Sequence, residues 1–502
     1  MGRGGARRGD PHRVSKRPNI LWICTDQQRW DTIRRLGNPH IRTPAQDGLA
    51  ERGTAFRRAY TQSPICTPSR ASMLTGRYPA SHHVYRNGNA FFPPNEVLVT
   101  RILADHGYDC GLVGKLHLSA AKHHEKRTDD GYRVFHWNHH PTPDAARGDA
   151  YEHWLRHEKK VDPQALYRDK GAFVGAGVPA EYHQSTWCAE MAIRFITDRR
   201  DGPWCLSLNF FDPHAPFDAP PEALARVDAA TLPLPLWRPS DAERWRDFEG
   251  VDQQQKKPVD PTIRRNAAPA PPPKERDHDK VASHVPEDYD ALQVKANYYA
   301  MIEHLDVQVA RILAALRDSG QEEDTLVLFH SDHGELLGDH GLVLKGCRFF
   351  EGLVHVPMLW RWPGRVQAGL ESDALVELVD IAPTLLEAAG IAVPWQMQGR
   401  SLLPILEGRA DPHVHKAHVV CEFKDSIGGH SDHSHGSMVF DGRWKSVVYH
   451  GHAKGEIFDH ASDPGEFDNL WDDAALRADR LKAHLDALAA TISAGPPRSA
   501  LY

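Results

Sequence analysis

The stretch Cys66-Thr67-Pro68-Ser69-Arg70-Ala71-Ser72-Met73-Leu74-Thr75-Gly76-Arg77 holds the residues best placed to do chemistry. A proline suited to a first helical turn follows the thiol, and Thr75-Gly76 stops the short apolar run, so Cys66 is expected at a helix N-terminus. Unpaired amides and the positive end of the dipole favour an anion there, whether bound or made from the side chain. An inert buried cysteine is the ordinary reading of a lone thiol. A thiolate phosphatase loop would need an arginine where this chain has Ser72, and that reading fails.

Other ionisable residues stand at the ends of short apolar runs. Pro18-Asn19-Ile20-Leu21-Trp22-Ile23-Cys24-Thr25 leads to Asp26-Gln27, and Tyr108 to Gly114 leads to Lys115 and His117. Trp204 to Phe211 leads to Asp212-Pro213-His214, and Thr325 to Ser331 leads to Asp332-His333-Gly334. Runs this short and this apolar read as buried parallel strands. In an open α/β sheet ligands bind beyond the carboxyl ends of the strands, which would bring these side chains to one rim.

Helices must separate such strands. One carries Val294, Tyr298, Met301, Leu305, Val309, Ile312 and Leu316 at three- and four-residue steps and stops at Ser319-Gly320; its apolar face is core. Pro383 to Gly390 and Ala474 to Ala494 read as further helices. Between Leu232 and Pro286 the periodicity fails, and Ala267 to Lys274 cannot pack as helix or central strand. That insertion reads equally as a lid or as idle linker. Beyond about Pro412, short strands at Val419 to Phe423, Met438 to Phe440 and Trp444 to Tyr449 suggest a small antiparallel sheet. The expected organisation is a disordered tail over 1–17, an α/β catalytic domain over 18–411 and an α+β subdomain over 412–502.

A chain of 502 residues with 41% hydrophobic and 25% charged residues can bury a sizeable core. A net charge of -7 gives no case for nucleic acid or an acidic membrane as partner. No run of about 18 apolar residues is present, and Met1 to Arg17 lacks the apolar stretch of about 7–15 residues found in a signal peptide. Seven scattered cysteines suggest free thiols in a reducing compartment, so a cytoplasmic protein is expected.

Cys66-x-Pro68-Ser69-Arg70 followed by Leu74-Thr75-Gly76-Arg77 resembles the signature of type I sulfatases, in the alkaline phosphatase superfamily. The likeness extends from about Pro18 to Leu470. It implies an alkaline phosphatase-like fold: a large, mostly parallel mixed sheet flanked by helices, with a smaller C-terminal antiparallel sheet and helix. It also implies that Cys66 becomes formylglycine, the Cys-x-Pro-x-Arg pattern being what the formylglycine-generating enzyme recognises. The substrate so implied is an anionic sulfate ester of a carbohydrate, aryl or alkyl alcohol.

On the same resemblance the metal lies among Asp26, Gln27, Cys66, Asp332 and His333. Calcium is the expected ion, while Gln27 and His333, standing where many relatives carry Asp and Asn, keep manganese and magnesium open. Arg70, Lys115, His117, His214 and Lys345 match the family's remaining catalytic residues, through Gly114-Lys115-Leu116-His117, Asp212-Pro213-His214 and Leu344-Lys345-Gly346. In the implied mechanism the hydrated aldehyde attacks sulfur, Lys115, Lys345 and His214 hold the sulfate oxygens, and His214 protonates the leaving alcohol. His117 then takes a proton from the second hydroxyl to release sulfate.

The nearest rival is a phosphonate monoester or phosphodiester hydrolase of the same superfamily, in which Tyr and Thr tend to replace Lys115 and His117. An inactive sulfated-glycan-binding protein would be expected to lose one of Cys66, Arg70, Asp332 or Lys345, and none is lost. His123-His124, His139-His140 and His430 to His435 fit no zinc spacing and read as surface or substrate-loop residues. Trp137, Trp154, Trp237 and Trp245 read as core or as stacking platforms.

Overall fold

The computed structural model describes residues 17–120, 125–141, 149–170, 173–248, 251, 257–264, 288–425 and 434–492. The expectations for residues 1–16, for His123-His124, for 265–286 and for His430 to His433 lie outside them.

A nine-stranded sheet forms the core. Its strands are β1 (Asn19–Thr25), β2 (Thr54–Tyr60), β3 (Asp109–Gly114), β4 (Val134–Trp137), β5 (Trp204–Asn209), β6 (Thr325–Ser331), β7 (His355–Val356), β8 (Met358–Arg361) and β9 (Leu370–Glu377). The order is β4-β3-β5-β1-β6-β8-β2-β7, with β9 beside β2. Strands β4, β3, β5, β1 and β6 pair in parallel, and the direction reverses at β8.

β1 shows why the central runs are apolar throughout. Ile20, Trp22 and Cys24 enter the core on one face, while Leu21 and Ile23 enter the core on the other. Cover on both faces removes the usual alternation. Helix Ala291–Asp318 supplies part of that cover: Leu305, Val309, Ile312 and Leu316 pack with Leu21 and Ile23. The Asp290 carboxylate caps it, accepting from the Gln293 N–H at 3.0 Å.

The smaller sheet is antiparallel and consists of β10 (Val419–Asp425), β11 (Ser434–Phe440), β12 (Trp444–Tyr449) and β13 (Gly455–Asp459), with helix Ala474–Ile492 against it. β11 starts earlier than the expected Met438 because Gly436 continues the ladder while the Phe349 ring lies over its backbone. A Cβ there would sit 2.7 Å from that ring. The helix expected from Pro383 begins at Ile381, which puts the proline in the first turn, where no N–H is needed.

The described part of the insertion is no idle linker. It holds the short helix Pro239–Arg244 and the turn Trp245–Phe248, with Leu232, Phe248, Val251 and Val259 buried. The Val259 N–H donates to the Gly341 carbonyl at 2.8 Å, and Arg244 Nη1 donates to the Glu466 carbonyl at 3.0 Å. The segment thus ties the loop after β6 to the small sheet. Trp137 and Trp154 are core, whereas Trp237 and Trp245 are half-buried. Among the described residues no helix is long and apolar enough to cross a membrane.

Asp26, Lys115 and Asp332 each follow the last residue of a parallel strand, and Asn209 ends β5. Gly114 sets the approach of the β3 and β5 ends: its φ is 93°, and a Cβ would fall 1.8 Å from the Asn209 carbonyl oxygen. Gly114→Ala is expected to cost about 2–4 kcal/mol, combining backbone strain and overlap. A urea titration of the two proteins checks this; an unchanged midpoint would show that the rim can shift to admit a methyl group.

Candidate active site

Helix Cys66–Thr75 begins with the thiol and ends at Gly76 in the left-handed region, as its sequence dictates. The helix is buried throughout, and the Ser69 hydroxyl pins it by donating to the Asp332 carbonyl at 2.6 Å. One turn in, Arg70 points beneath the strand ends. Its Nε donates to Asp332 at 2.8 Å, its Nη2 faces Asp26 at 3.4 Å, and its Nη1 reaches the Lys115 carbonyl at 3.1 Å and Asn209 Oδ1 at 3.2 Å. Burial lowers the pKa of Arg70, but Asp332, Cys24 and Asp26 together hold it above the ordinary guanidinium value.

Cations surround the thiol. Lys345 Nζ lies 2.9 Å and Lys115 Nζ 3.6 Å from Cys66 Sγ, with His333 Nε2 at 3.2 Å and Asp26 Oδ1 at 3.6 Å. Burial and Asp26 push the Cys66 thiol up, while Lys115, Lys345 and His333 bring it below its usual value. Lys115 Nζ also pairs with Asp26 at 2.5 Å. Burial disfavours both charges of that pair, yet Asp26 holds the Lys115 ammonium above its ordinary value. Lys115, followed by His214, Arg70 and Lys345, holds the Asp26 carboxyl well below its own. Such a pocket favours an anion at residue 66.

Two histidines are kept neutral. His214 Nδ1 donates to the Ala215 carbonyl at 2.6 Å, leaving Nε2 to accept from Lys345 at 2.8 Å; burial and Lys345 hold it well below the imidazole range. His117 stands further along the rim, with its ring against His139 at 4.4 Å between centroids. Burial, Lys115 and His139 hold His117 well below its usual value, and its Nδ1 has no partner among the described residues. A neutral imidazole there is ready to accept a proton.

One donor atom each from Asp26, Cys66, Asp332 and His333 lies within 4.8 Å of the others, all buried. His333 Nδ1 is taken up by the Gly334 carbonyl at 2.8 Å, which turns Nε2 inward, and the Gln27 amide oxygen accepts from Lys345 Nζ at 2.8 Å, the ammonium that also meets Cys66 and His333. Carboxylates, an amide oxygen and one imidazole fit a hard divalent cation.

Among the named residues, only His117 stands apart from the cluster around Cys66. Three more belong to the site. Glu335 accepts from Gln27 Nε2 and from the amides of Leu337 and Leu344, the last of which precedes Lys345. Glu125 accepts from the amides of His117, Leu118 and Ser119 and from Trp137 Nε1. Asn209 holds Arg70. Asn209 had a sequence signal as the polar end of an apolar run, and Glu335 as a neighbour of Asp332-His333-Gly334; Glu125, beside Lys126 and Arg127, reads as solvated charge.

Gln27, His117 and Leu344 have φ of 72°, 59° and 65°. Side chains other than glycine rarely adopt that region, and such strain gathers at functional sites. His340 and His355 lie elsewhere: His340 stacks on Phe350 and pairs with Asp241, and His355 pairs with Glu351.

The chain resembles known proteins along nearly its whole length. The sulfatase family profile matches residues 18–391, and that of the N-sulphoglucosamine sulphohydrolase C-terminal region matches 338–491. An arylsulfatase of Clostridium perfringens (strain 13 / Type A) is 30% identical over 94% of this chain and 93% of its own. The multifunctional alkaline phosphatase superfamily protein PehA of Trinickia caryophylli is 29% identical over 92% and 93%. The crystal structure of the phosphonate monoester hydrolase of Agrobacterium radiobacter superposes with a TM-score of 0.76 at 26% identity, covering 95% of this chain and 96% of that one. The chain belongs to the sulfatase family, hydrolases of sulfate esters.

Proposed function

We propose that this chain cleaves a sulfate monoester of a carbohydrate, aryl or alkyl alcohol through a formylglycine made from Cys66, with Arg70, Lys115, His117, His214 and Lys345 as its catalytic residues. The observation that carries the reading is the placement of Lys345 and Lys115 at 2.9 and 3.6 Å from Cys66 Sγ, with Arg70 behind. Fixed cations stabilise the charge that spreads over the sulfate oxygens as the S–O bond breaks. Conversion by a formylglycine-generating enzyme supplies an aldehyde whose hydrate offers one hydroxyl to attack sulfur and another to expel sulfate afterwards. Asp26, Gln27, Asp332, His333 and residue 66 would hold a divalent cation, calcium by first expectation, which supplies Lewis acidity beside the nucleophile.

The chain's own residues do the rest. Lys115 and Lys345 grip the ester's oxygens. His214 is neutral while Lys345 donates to it; an anionic ester that draws Lys345 away frees Nε2 to take a proton from solvent, and the imidazolium so formed gives that proton to the leaving alcohol. Neutral His117 takes the proton of the second hydroxyl.

A division at 18–411 and 412–502 suits the two sheets. The seven cysteines are free and buried, which supports a reducing, cytoplasmic setting. One further observation favours a second activity: Gln27 and His333 leave Asp26 and Asp332 as the carboxylates of the donor set, and the phosphonate monoester hydrolase of Agrobacterium radiobacter shares the fold over nearly the whole chain. Slower hydrolysis of phosphonate monoesters is therefore expected alongside sulfate esters.

Protein coexpressed with a formylglycine-generating enzyme should turn over p-nitrophenyl sulfate faster than p-nitrophenyl phenylphosphonate, and Cys66→Ala should lose on the order of 10³-fold or more. A faster phosphonate reaction would reassign the principal substrate; full activity in Cys66→Ala would end the formylglycine reading. His117→Ala should turn over once and stop with sulfate held on residue 66, seen by intact-mass measurement after a single addition of ester. Unmodified, fully cycling His117→Ala would show that another group takes that proton.

A further inference from the structure

Gln27 stands where a carboxylate would be the simpler ligand, and an amide has a wrong way round. Turned one way it presents Oε1 to the site; flipped, it presents an NH₂ to Lys345, which can only donate. In the structure Oε1 accepts from Lys345 Nζ at 2.8 Å, and Nε2 donates to Glu335 on the far side. Glu335 is wholly buried, and the contacts that reach its two oxygens are N–H donors: Leu337 and Leu344 on Oε1, Gln27 on Oε2. The same carboxylate thus fixes the left-handed backbone just before Lys345 and the amide that Lys345 meets.

We propose that Glu335 is a positioning residue that sets the Gln27 amide, so that an oxygen rather than an NH₂ faces the cation site and Lys345. This rests on the reading that Asp26, Gln27, Asp332 and His333 hold a divalent cation. It also gives Gln27 a reason: a carboxylate at position 27 would lie directly against that of Glu335, with no cation between them.

The polarity of the pair can be reversed without changing its shape. In Glu335→Gln, the new side-chain oxygen still serves the Leu337 and Leu344 amides, but its NH₂ meets that of Gln27 and forces the flip. In Gln27→Glu, two buried carboxylates collide. In the double variant, the Gln side chain at 335 donates to the Glu side chain at 27, whose second oxygen faces Lys345 as Gln27 Oε1 does now.

The test is calorimetric titration of Mn²⁺ and of Ca²⁺ into the four proteins with Cys66 left unconverted, so that the readout is independent of turnover. Each single variant is expected to bind the cation roughly 10- to 100-fold more weakly than the parent, as is usual when a ligand's orienting partner is lost, and the double variant to recover most of that loss. In matched proteins carrying the aldehyde, kcat for p-nitrophenyl sulfate should follow the same order. A parent that binds neither ion overturns the cation reading and this inference with it. A parent that binds, with single variants unchanged or a double variant no better than the weaker single one, overturns the role of Glu335 alone.

Discussion

The guanidinium of Arg70 is the joint on which the site is built. It is carried by the helix that starts at Cys66, yet it touches the residues that end or follow β1, β3, β5 and β6: Asp26, the Lys115 carbonyl, Asn209 and Asp332. A buried charge of this kind contributes little net stability, because desolvation offsets most of the attraction, but its removal would take from the buried Asp332 carboxylate its close cationic partner, while Asp26 keeps Lys115. Its value is geometric. One rigid fork with five donors fixes the distance from the nucleophile position to each strand end.

Around that joint the backbone is held out of its resting conformations. Gln27, His117 and Leu344 lie in the left-handed region: Gln27 follows Asp26, Leu344 precedes Lys345, and His117 comes two residues after Lys115. Neighbouring contacts keep them there. Tyr298 donates to the Gln27 carbonyl at 2.6 Å, Glu125 collects three consecutive amides from His117 onward, and Glu335 takes the Leu344 amide. The cations are therefore in place before an ester arrives, which spares reorganisation during the reaction.

The strand ends and the Cys66 helix could be read from sequence because each signal is local. An apolar run covered on both faces has no alternation, and the residue after it falls on the rim by topology alone. Asp26, Lys115 and Asp332 needed nothing more. Glu125 was hidden for the opposite reason, since its role depends on which amides a loop turns toward it, and Glu335, though next to Asp332-His333-Gly334, showed its place in sequence but not the Gln27 amide it holds. His139 looked like part of a histidine tract and instead packs on His117, because β4 ends beside β3. The insertion after residue 232 carried no period because it packs by single anchors, such as Phe248 against Tyr449, and not along a helical face.

The strand order also governs when the site can close. β1 is made first, but its neighbours β5 and β6 end at residues 209 and 331. Helix Cys66–Thr75 has no Asp332 to receive Arg70 until β6 has emerged, so the enclosure that leaves Cys66 1% exposed in the finished fold cannot be completed before then. At about 5–20 residues per second the ribosome takes roughly 10–50 s to pass from residue 66 to residue 331. Any partner that works on the Cys66 side chain has that interval of synthesis in which to reach it, and the arrival of a strand more than two hundred residues downstream ends it.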